Sequence, residues 1–136
     1  MLSYQTVNSH TLELLKKLTN EEFLSKARLV GGTALALQYG HRISIDLDFF
    51  GNIEEDNETI KFIDEIAPLV KDTENEVILC VPYTDLFYAL LTAQNTNIKI
   101  GAQNMHWEEK GAFTGEVSGK MLKAIGCLLY TSDAAD

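Results

Sequence analysis

The chain has 136 residues, the length of one ordinary domain, so it cannot hold two complete enzymes. Its 46% hydrophobic content is typical of a globular protein and excludes a disordered one. A formal net charge of −9 argues against a broad basic surface for nucleic acid. The first residues do not have the pattern of a secretory signal, and the sequence has no apolar run of about 18 residues, so we expect neither a secretory signal nor a membrane-spanning helix. Because Cys80 and Cys127 lie far apart, we expect free thiols and a cytoplasmic protein.

The first part of the chain predicts a helix, a strand, a second helix and a second strand. Leucines at helical spacing predict the first helix over residues 11–18. Residues 27–30 predict a short buried strand, and residues 33–39 a helix that ends at Gly40. Residues 43–49 alternate between apolar and polar, which predicts a half-buried strand. Its buried face is expected to carry Ile43, Ile45, Leu47 and Phe49.

The second part of the chain predicts alternating helices and strands. Apolar residues at helical spacing predict a helix over residues 59–71, which Pro68 should kink or break. A strand over 76–81, a helix over 85–93 and a strand over 98–102 follow. A long polar loop over 104–118 and a last helix over 119–125 complete the pattern. This order favours parallel pairing of the strands.

Two aspartates in the first part predict a metal site. Asp46 and Asp48 lie two apart on the predicted strand, so both carboxylates should point to one face. Mg²⁺ binds such carboxylates together with substrate phosphates. Gly31 and Gly32 precede a predicted helix, whose free amide groups favour a phosphate. The alternatives are a solvated edge strand for the aspartates and a tight strand-to-helix turn for the glycines.

The strings GGTALAL, GHR and SIDLDFF resemble the first motif of the abortive-infection (AbiEii-type) nucleotidyltransferase toxins. The resemblance implies a Mg²⁺-dependent transfer of nucleotides from an NTP, and a cognate antitoxin as partner. The implied nucleotide-binding residues are Gly31, Gly32, Thr33, Arg42 and Ser44, and the implied metal ligands are Asp46 and Asp48. The family's further lysine and acidic residue have no counterpart after residue 57, so the site is expected to be incomplete.

From residue 57 onward the chain resembles triosephosphate isomerase, through NETIKFIDEIAPLVKD, EVILCVPYTDL and NTNIKIGAQNMHWEEKGAFTGEVSGKMLKAIGC. The resemblance implies helix 1 to helix 3 of a (β/α)₈ barrel. It makes residues 103–118 the dimer-forming loop, with Gln103, Asn104 and Thr114 as its interface residues. It places the family's catalytic residues on strand 1 and beyond the last helix, outside the similar segment, so we expect no isomerase activity. We expect His106 to be a surface residue and Trp107 a packing anchor.

The last nine residues, LLYTSDAAD, fit neither family. They resemble the translated read-through of a sequencing adapter, and the alternative is an ordinary polar terminus. We therefore expect three segments: residues 1–56, residues 57–127 and a tail over 128–136.

The expected fold is a small mixed α/β arrangement that is not a complete fold. It combines a nucleotidyltransferase-like strand–helix–strand front with a partial (β/α) barrel segment, and exposed apolar surface should favour self-association. Three hypotheses follow: a chimera of two families without activity, a truncated nucleotidyltransferase that binds Mg²⁺ and nucleotide, and an interaction module that pairs with an isomerase subunit. If one biochemical function is assigned, we predict that of a nucleotidyltransferase fragment, with an isomerase fragment as the alternative.

Overall fold

The computed structural model describes residues 1–51, 56–127 and 129–130, and it divides the chain into two compact units. The first unit comprises Met1–Ile53 and Asp72–Asn75. The second unit comprises Glu54–Lys71 and Glu76–Asp136. In the part of the chain that the structure describes, no helix is long and apolar enough to cross a membrane.

Among its described residues, the first unit contains two α-helices and a two-stranded antiparallel sheet. Helix α1 spans Ser9–Thr19, strand β1 Arg28–Val30, helix α2 Gly31–Tyr39 and strand β2 Asp48–Phe50. Helix α1 begins after Asn8, whose side chain accepts a hydrogen bond from the Thr11 amide at 2.8 Å and so satisfies a first-turn donor. The leucines of α1 and α2 pack with the preceding segment in a small core of Val7, Leu15 and Leu37.

The predicted strand over residues 43–49 is wrong for most of its length. Strand β2 begins only at Asp48, and the predicted buried side chain of Ile43 is 76% exposed. Ser44 is buried instead, because its amide donates to the Thr6 carbonyl at 2.9 Å and its hydroxyl lies 2.8 Å from that of Thr33. These two polar contacts direct the side chain of Ser44 inward. The alternation of buried and exposed side chains therefore holds only at the end of the predicted strand, where Leu47 and Phe49 pack against the core.

The described residues of the second unit form a three-stranded parallel sheet with helices, and the alternating pattern predicted the parallel pairing. Helix α3 spans Asp56–Val70, strand β3 Val77–Val81, helix α4 Leu86–Ala93 and strand β4 Ile98–Ala102. Helix α5 spans Gly119–Ala124 and strand β5 Leu129–Tyr130. The strand order is β3-β4-β5, and β4 is the central strand. Four of the five β4 residues are buried, which is typical of a strand covered on both faces.

A buried polar contact joins α3 to the start of α4. The Thr59 hydroxyl, which is fully buried, donates to Asp85 Oδ2 at 2.6 Å. Asp85 is itself buried, and its Oδ1 accepts from the exposed Thr84 hydroxyl at 2.9 Å. Because a buried carboxylate must be hydrogen-bonded, this contact fixes where α3 packs.

Candidate functional site

The first candidate site surrounds the start of α2. The helix begins at Gly31, two residues before the predicted start, and no side chain caps it. Gly31 has a left-handed φ of 69°, and a Cβ atom there would clash with the Asp48 carboxylate. A Cβ atom at Gly32 would clash with the Arg42 guanidinium. The structure therefore brings Gly31, Gly32, Arg42 and Asp48 together, and the glycines are needed because charged side chains approach their backbone closely.

Thr33 and Ser44 lie inside this site as a buried pair. The Thr33 hydroxyl is hydrogen-bonded to the Ser44 hydroxyl at 2.8 Å and also contacts the Asp46 carbonyl. Both side chains are buried. Their hydroxyls hold the segment before β2 against α2, which is a structural contribution.

Asp46 and Asp48 are close enough to influence each other. Burial, and then the charge of Asp46, raise the pKa of the Asp48 carboxyl above its ordinary value. Asp46 lies before β2, so the predicted arrangement of both residues on one strand is wrong. Within the described residues, no group of three or more His, Cys, Asp and Glu side chains could hold a metal ion. Mg²⁺ and nucleotide binding at this place stays a prediction.

The second candidate site is the loop over residues 103–118 that follows β4. The Gln103 amide donates to the Val81 carbonyl at 3.1 Å, and its side chain donates to the Cys80 carbonyl at 3.2 Å. The Asn104 side chain accepts from the Met105 amide at 2.9 Å. These hydrogen bonds fix the start of the loop to the end of β3.

The far part of the loop is exposed. Thr114 lies there next to Gly115, whose φ of 89° is in the left-handed region and suits glycine. The base of the loop is closed by a hydrogen bond of 2.7 Å from the His106 amide to the Val117 carbonyl. The loop is therefore a projection with a fixed base and an exposed tip.

The expectations for His106 and Trp107 are both wrong. His106 is only 9% exposed, and its imidazole contacts the rings of Trp107 and Phe113 in tilted arrangements, at centroid distances of 4.5 and 4.6 Å. Trp107 is 79% exposed. The loop thus buries its histidine and presents its tryptophan.

An apolar groove of about 480 Å³ lies between α4 and α5 and was not predicted from the sequence. Phe87, Leu91, Met121 and Ile125 line it, and each is more than half exposed. Val117, from the base of the loop, also lines it. The feature of the sequence that could have indicated this groove is the segment LFYALLTA of α4. It is apolar on all sides, which is typical of a helix that is covered on every face.

Parallel strands that alternate with helices define this unit as an α/β fold of the class that contains open sheets and (β/α) barrels. Comparison with known proteins identifies the family. The family model of triosephosphate isomerase matches residues 50–130, which is more than half of the chain. The chain belongs to the triosephosphate isomerase family.

Curated relatives and a solved structure agree with this assignment. The triosephosphate isomerase of Caldanaerobacter subterraneus subsp. tengcongensis is 51% identical over 70 residues, which cover 52% of this chain and 28% of the relative. That of Alkaliphilus metalliredigens is 52% identical over 69 residues, with shares of 51% and 28%. A crystal structure of the Bartonella henselae triosephosphate isomerase is 30% identical with a TM-score of 0.51, and the match covers 58% of this chain and 33% of that one. The chain thus spans a third or less of the length of these relatives.

These findings correct the predicted function. The function of a nucleotidyltransferase toxin is wrong, because the matched family and the relatives above are isomerases. The division of the chain into residues 1–56, 57–127 and 128–136 stays a prediction, and the family match runs from residue 50 to residue 130. Its last residues, Leu129–Tyr130, pair with Gly101 and Ala102 as strand β5, although they were assigned to the unrelated tail. The remainder of that tail, residues 131–136, lies outside the described residues.

Proposed function

We propose that the isomerase-family part of this chain is a segment for subunit association in a triosephosphate isomerase, and that it has no catalytic residue of its own. The observation that carries the proposal is the apolar groove beside the base of the loop. Phe87, Leu91, Met121 and Ile125 expose more than half of their surface there, and Val117 belongs to both features. Apolar surface of this kind on a folded unit is typical of an interface.

Charge supports a second copy of the same segment as the partner. The loop carries exposed carboxylates at Glu108, Glu109 and Glu116. Helix α5, which lines the groove, carries exposed ammonium groups at Lys120 and Lys123. In a two-fold arrangement the acidic loop of one copy can meet the basic helix of the other, and both contacts form at once. Gln103, Asn104 and Thr114 are the loop residues that we assign to this interface.

Triose phosphate isomerisation is proposed here only for a whole barrel that contains such a segment. The relatives that are named isomerases are more than three times as long as the matched region, which is 28% of each. The family resemblance places the catalytic asparagine, lysine, histidine and glutamate outside this segment. A barrel also needs closure, and three strands leave two open edges.

A hybrid enzyme tests the proposal. The matching 70-residue segment of the Caldanaerobacter isomerase is replaced by that of this chain. We expect a dimer whose kcat/KM is within about tenfold of the parent, since tenfold is only ~1.4 kcal/mol. Thr114→Arg in the hybrid should give a monomer, because a long cation at the exposed loop tip blocks close approach.

Lys110→Arg is the matched control, since it also places an arginine in the exposed loop but leaves the charge unchanged. Sedimentation and an isomerase assay are measured on all four proteins: the parent, the hybrid and its two variants. A folded hybrid that is monomeric, or a Thr114→Arg hybrid that is as dimeric as the control, contradicts the proposal.

A further inference from the structure

The loop over residues 103–118 presents the aromatic ring of Trp107 to solvent. The side chain of Trp107 is 79% exposed. Its ring contacts the buried ring of His106 at a centroid distance of 4.5 Å, and the His106 amide donates to the Val117 carbonyl at 2.7 Å. The exposed ring therefore rests on a residue that is tied to the base of the loop. This support limits the side-chain freedom that is lost when Trp107 is covered.

The groove between α4 and α5 has the size and the lining to hold such a ring. Its volume of about 480 Å³ lies in the range of pockets that hold small organic molecules. Its lining includes two buried leucines, Leu86 and Leu122, and three exposed side chains, Phe87, Leu91 and Met121. Aromatic rings and methionine thioethers both make favourable contacts with an aromatic ring. An indole is therefore a suitable occupant of this groove.

Polar groups at the two ends of the groove suit the polar edge of an indole. Tyr83 lies just before α4 and Gln94 just after it, and both line the groove. Each side chain offers an oxygen that accepts a hydrogen bond. The indole N–H of a buried tryptophan needs one acceptor, and the groove supplies one at either end.

The charges beside Trp107 and beside the groove are complementary. Glu108 and Glu109 directly follow Trp107 and are exposed. Lys120 and Lys123 are exposed on α5, next to the residues of that helix that line the groove. A tryptophan that enters the groove thus carries two carboxylates toward two ammonium groups. This complementarity favours a second copy of the chain over a partner of a different kind.

We propose that Trp107 of each copy inserts into the groove between α4 and α5 of a second copy and is the anchor of their association. Trp107 does not line the groove of its own copy, where it is exposed. A two-fold arrangement forms both insertions at once and closes the dimer. The inference rests on the proposed function, because it names the side chain and the surface through which the two segments associate.

Fluorescence reports the insertion directly, because Trp107 is the single tryptophan of the chain. The emission spectrum and acrylamide quenching of the full chain are measured over a range of protein concentrations. Sedimentation at the same concentrations gives the fractions of monomer and dimer. As the dimer forms, we expect emission at shorter wavelength and weaker quenching, because the indole leaves water.

Three variants test the anchor and the groove separately. Trp107→Ala removes the anchor, and Leu91→Lys places a charge in the groove. Tyr88→Lys is the matched control, since it places the same charge on an exposed part of α4 that does not line the groove. We expect Trp107→Ala and Leu91→Lys each to raise the Kd of the dimer at least about thirtyfold, the loss typical of a central anchor. Tyr88→Lys should change the Kd by less than about fivefold.

A dimer in which Trp107 remains as accessible as in the monomer overturns the inference and does not contradict the proposed function. Burial of Trp107 that is independent of concentration, or equal effects of Leu91→Lys and Tyr88→Lys, also overturns it. A chain that is monomeric at every concentration overturns the inference, and the hybrid enzyme then decides the proposed function separately. If circular dichroism shows that Trp107→Ala or Leu91→Lys does not fold, the fluorescence of the unaltered chain decides alone.

Discussion

The contact between Thr59 and Asp85 gives a sharp prediction for the stability of the second unit. Thr59→Val keeps the shape of the side chain but removes the hydroxyl that donates to Asp85 Oδ2 at 2.6 Å. Both residues are buried, so water does not replace the lost donor. The change leaves one oxygen of a buried carboxylate without its partner.

The magnitude follows from the kind of hydrogen bond. A hydrogen bond to a charged group contributes about 1.5–3 kcal/mol, and an unsatisfied buried charged acceptor costs at least as much. We therefore expect Thr59→Val to lower the free energy of unfolding by about 2–3 kcal/mol. Thr84→Val is the matched control, since it removes a donor to Oδ1 of the same carboxylate, at 2.9 Å, from an exposed position. Water can replace that donor, so the loss should stay below about 1 kcal/mol.

Urea unfolding followed by tryptophan fluorescence measures both changes, because Trp107 lies in the second unit. Equal losses of stability in the two variants would contradict this prediction, as would a loss below about 0.5 kcal/mol in Thr59→Val, the size of an ordinary surface substitution. Either result would mean that burial of Asp85 does not determine the strength of its hydrogen bonds.

Two further predictions concern the first unit. Gly40→Ala should lower the stability of this unit by about 1–2 kcal/mol, because Gly40 ends α2 with a left-handed φ of 65°. Thermal denaturation followed by circular dichroism measures the loss. Gly51→Ala is the control and should have a small effect, since an added Cβ would meet only an ordinary contact of 3.4 Å with Ala27; equal losses in the two variants would contradict this account. Burial and the charge of Asp46 raise the pKa of the Asp48 carboxyl. The folded state therefore keeps the carboxyl proton to higher pH than the unfolded chain, and ionisation of Asp48 lowers the stability of the fold as pH rises. Asp48→Asn should therefore raise the urea midpoint at pH 7 and leave it unchanged near pH 3, and an equal gain at both values would show that charge is not the cause.

The second unit was largely predictable because its signals are local. Strand β4 was predicted over the residues that it occupies, Ile98–Ala102, and β3 and α4 begin one residue later than expected. Short apolar runs bounded by polar turns define such elements without reference to the rest of the chain. The parallel pairing of β3 and β4 followed from the order of the elements alone.

The errors lie where a contact distant in sequence overrides the local pattern. Ser44 is buried because Thr33 and Thr6 hydrogen-bond to it, and nothing in residues 43–49 indicates those partners. His106 is buried because Phe113, seven positions later, folds back over its ring. The assignment of function was wrong for a related reason, since a short motif in the first unit was given more weight than the longer isomerase-like segment.

The parallel pair of β3 and β4 also has a consequence for the route by which this chain folds. The connection between these two strands is shorter than the one between β4 and β5, so its closure costs less entropy and β3 should pair with β4 before β5 does. Helix α4 is then in place, with Phe87 and Leu91 uncovered, before α5 and the long loop have docked. A newly synthesised chain is therefore expected to expose the apolar face of α4 from the first folding step. The yield of folded protein should depend on how soon a partner or a chaperone covers that helix.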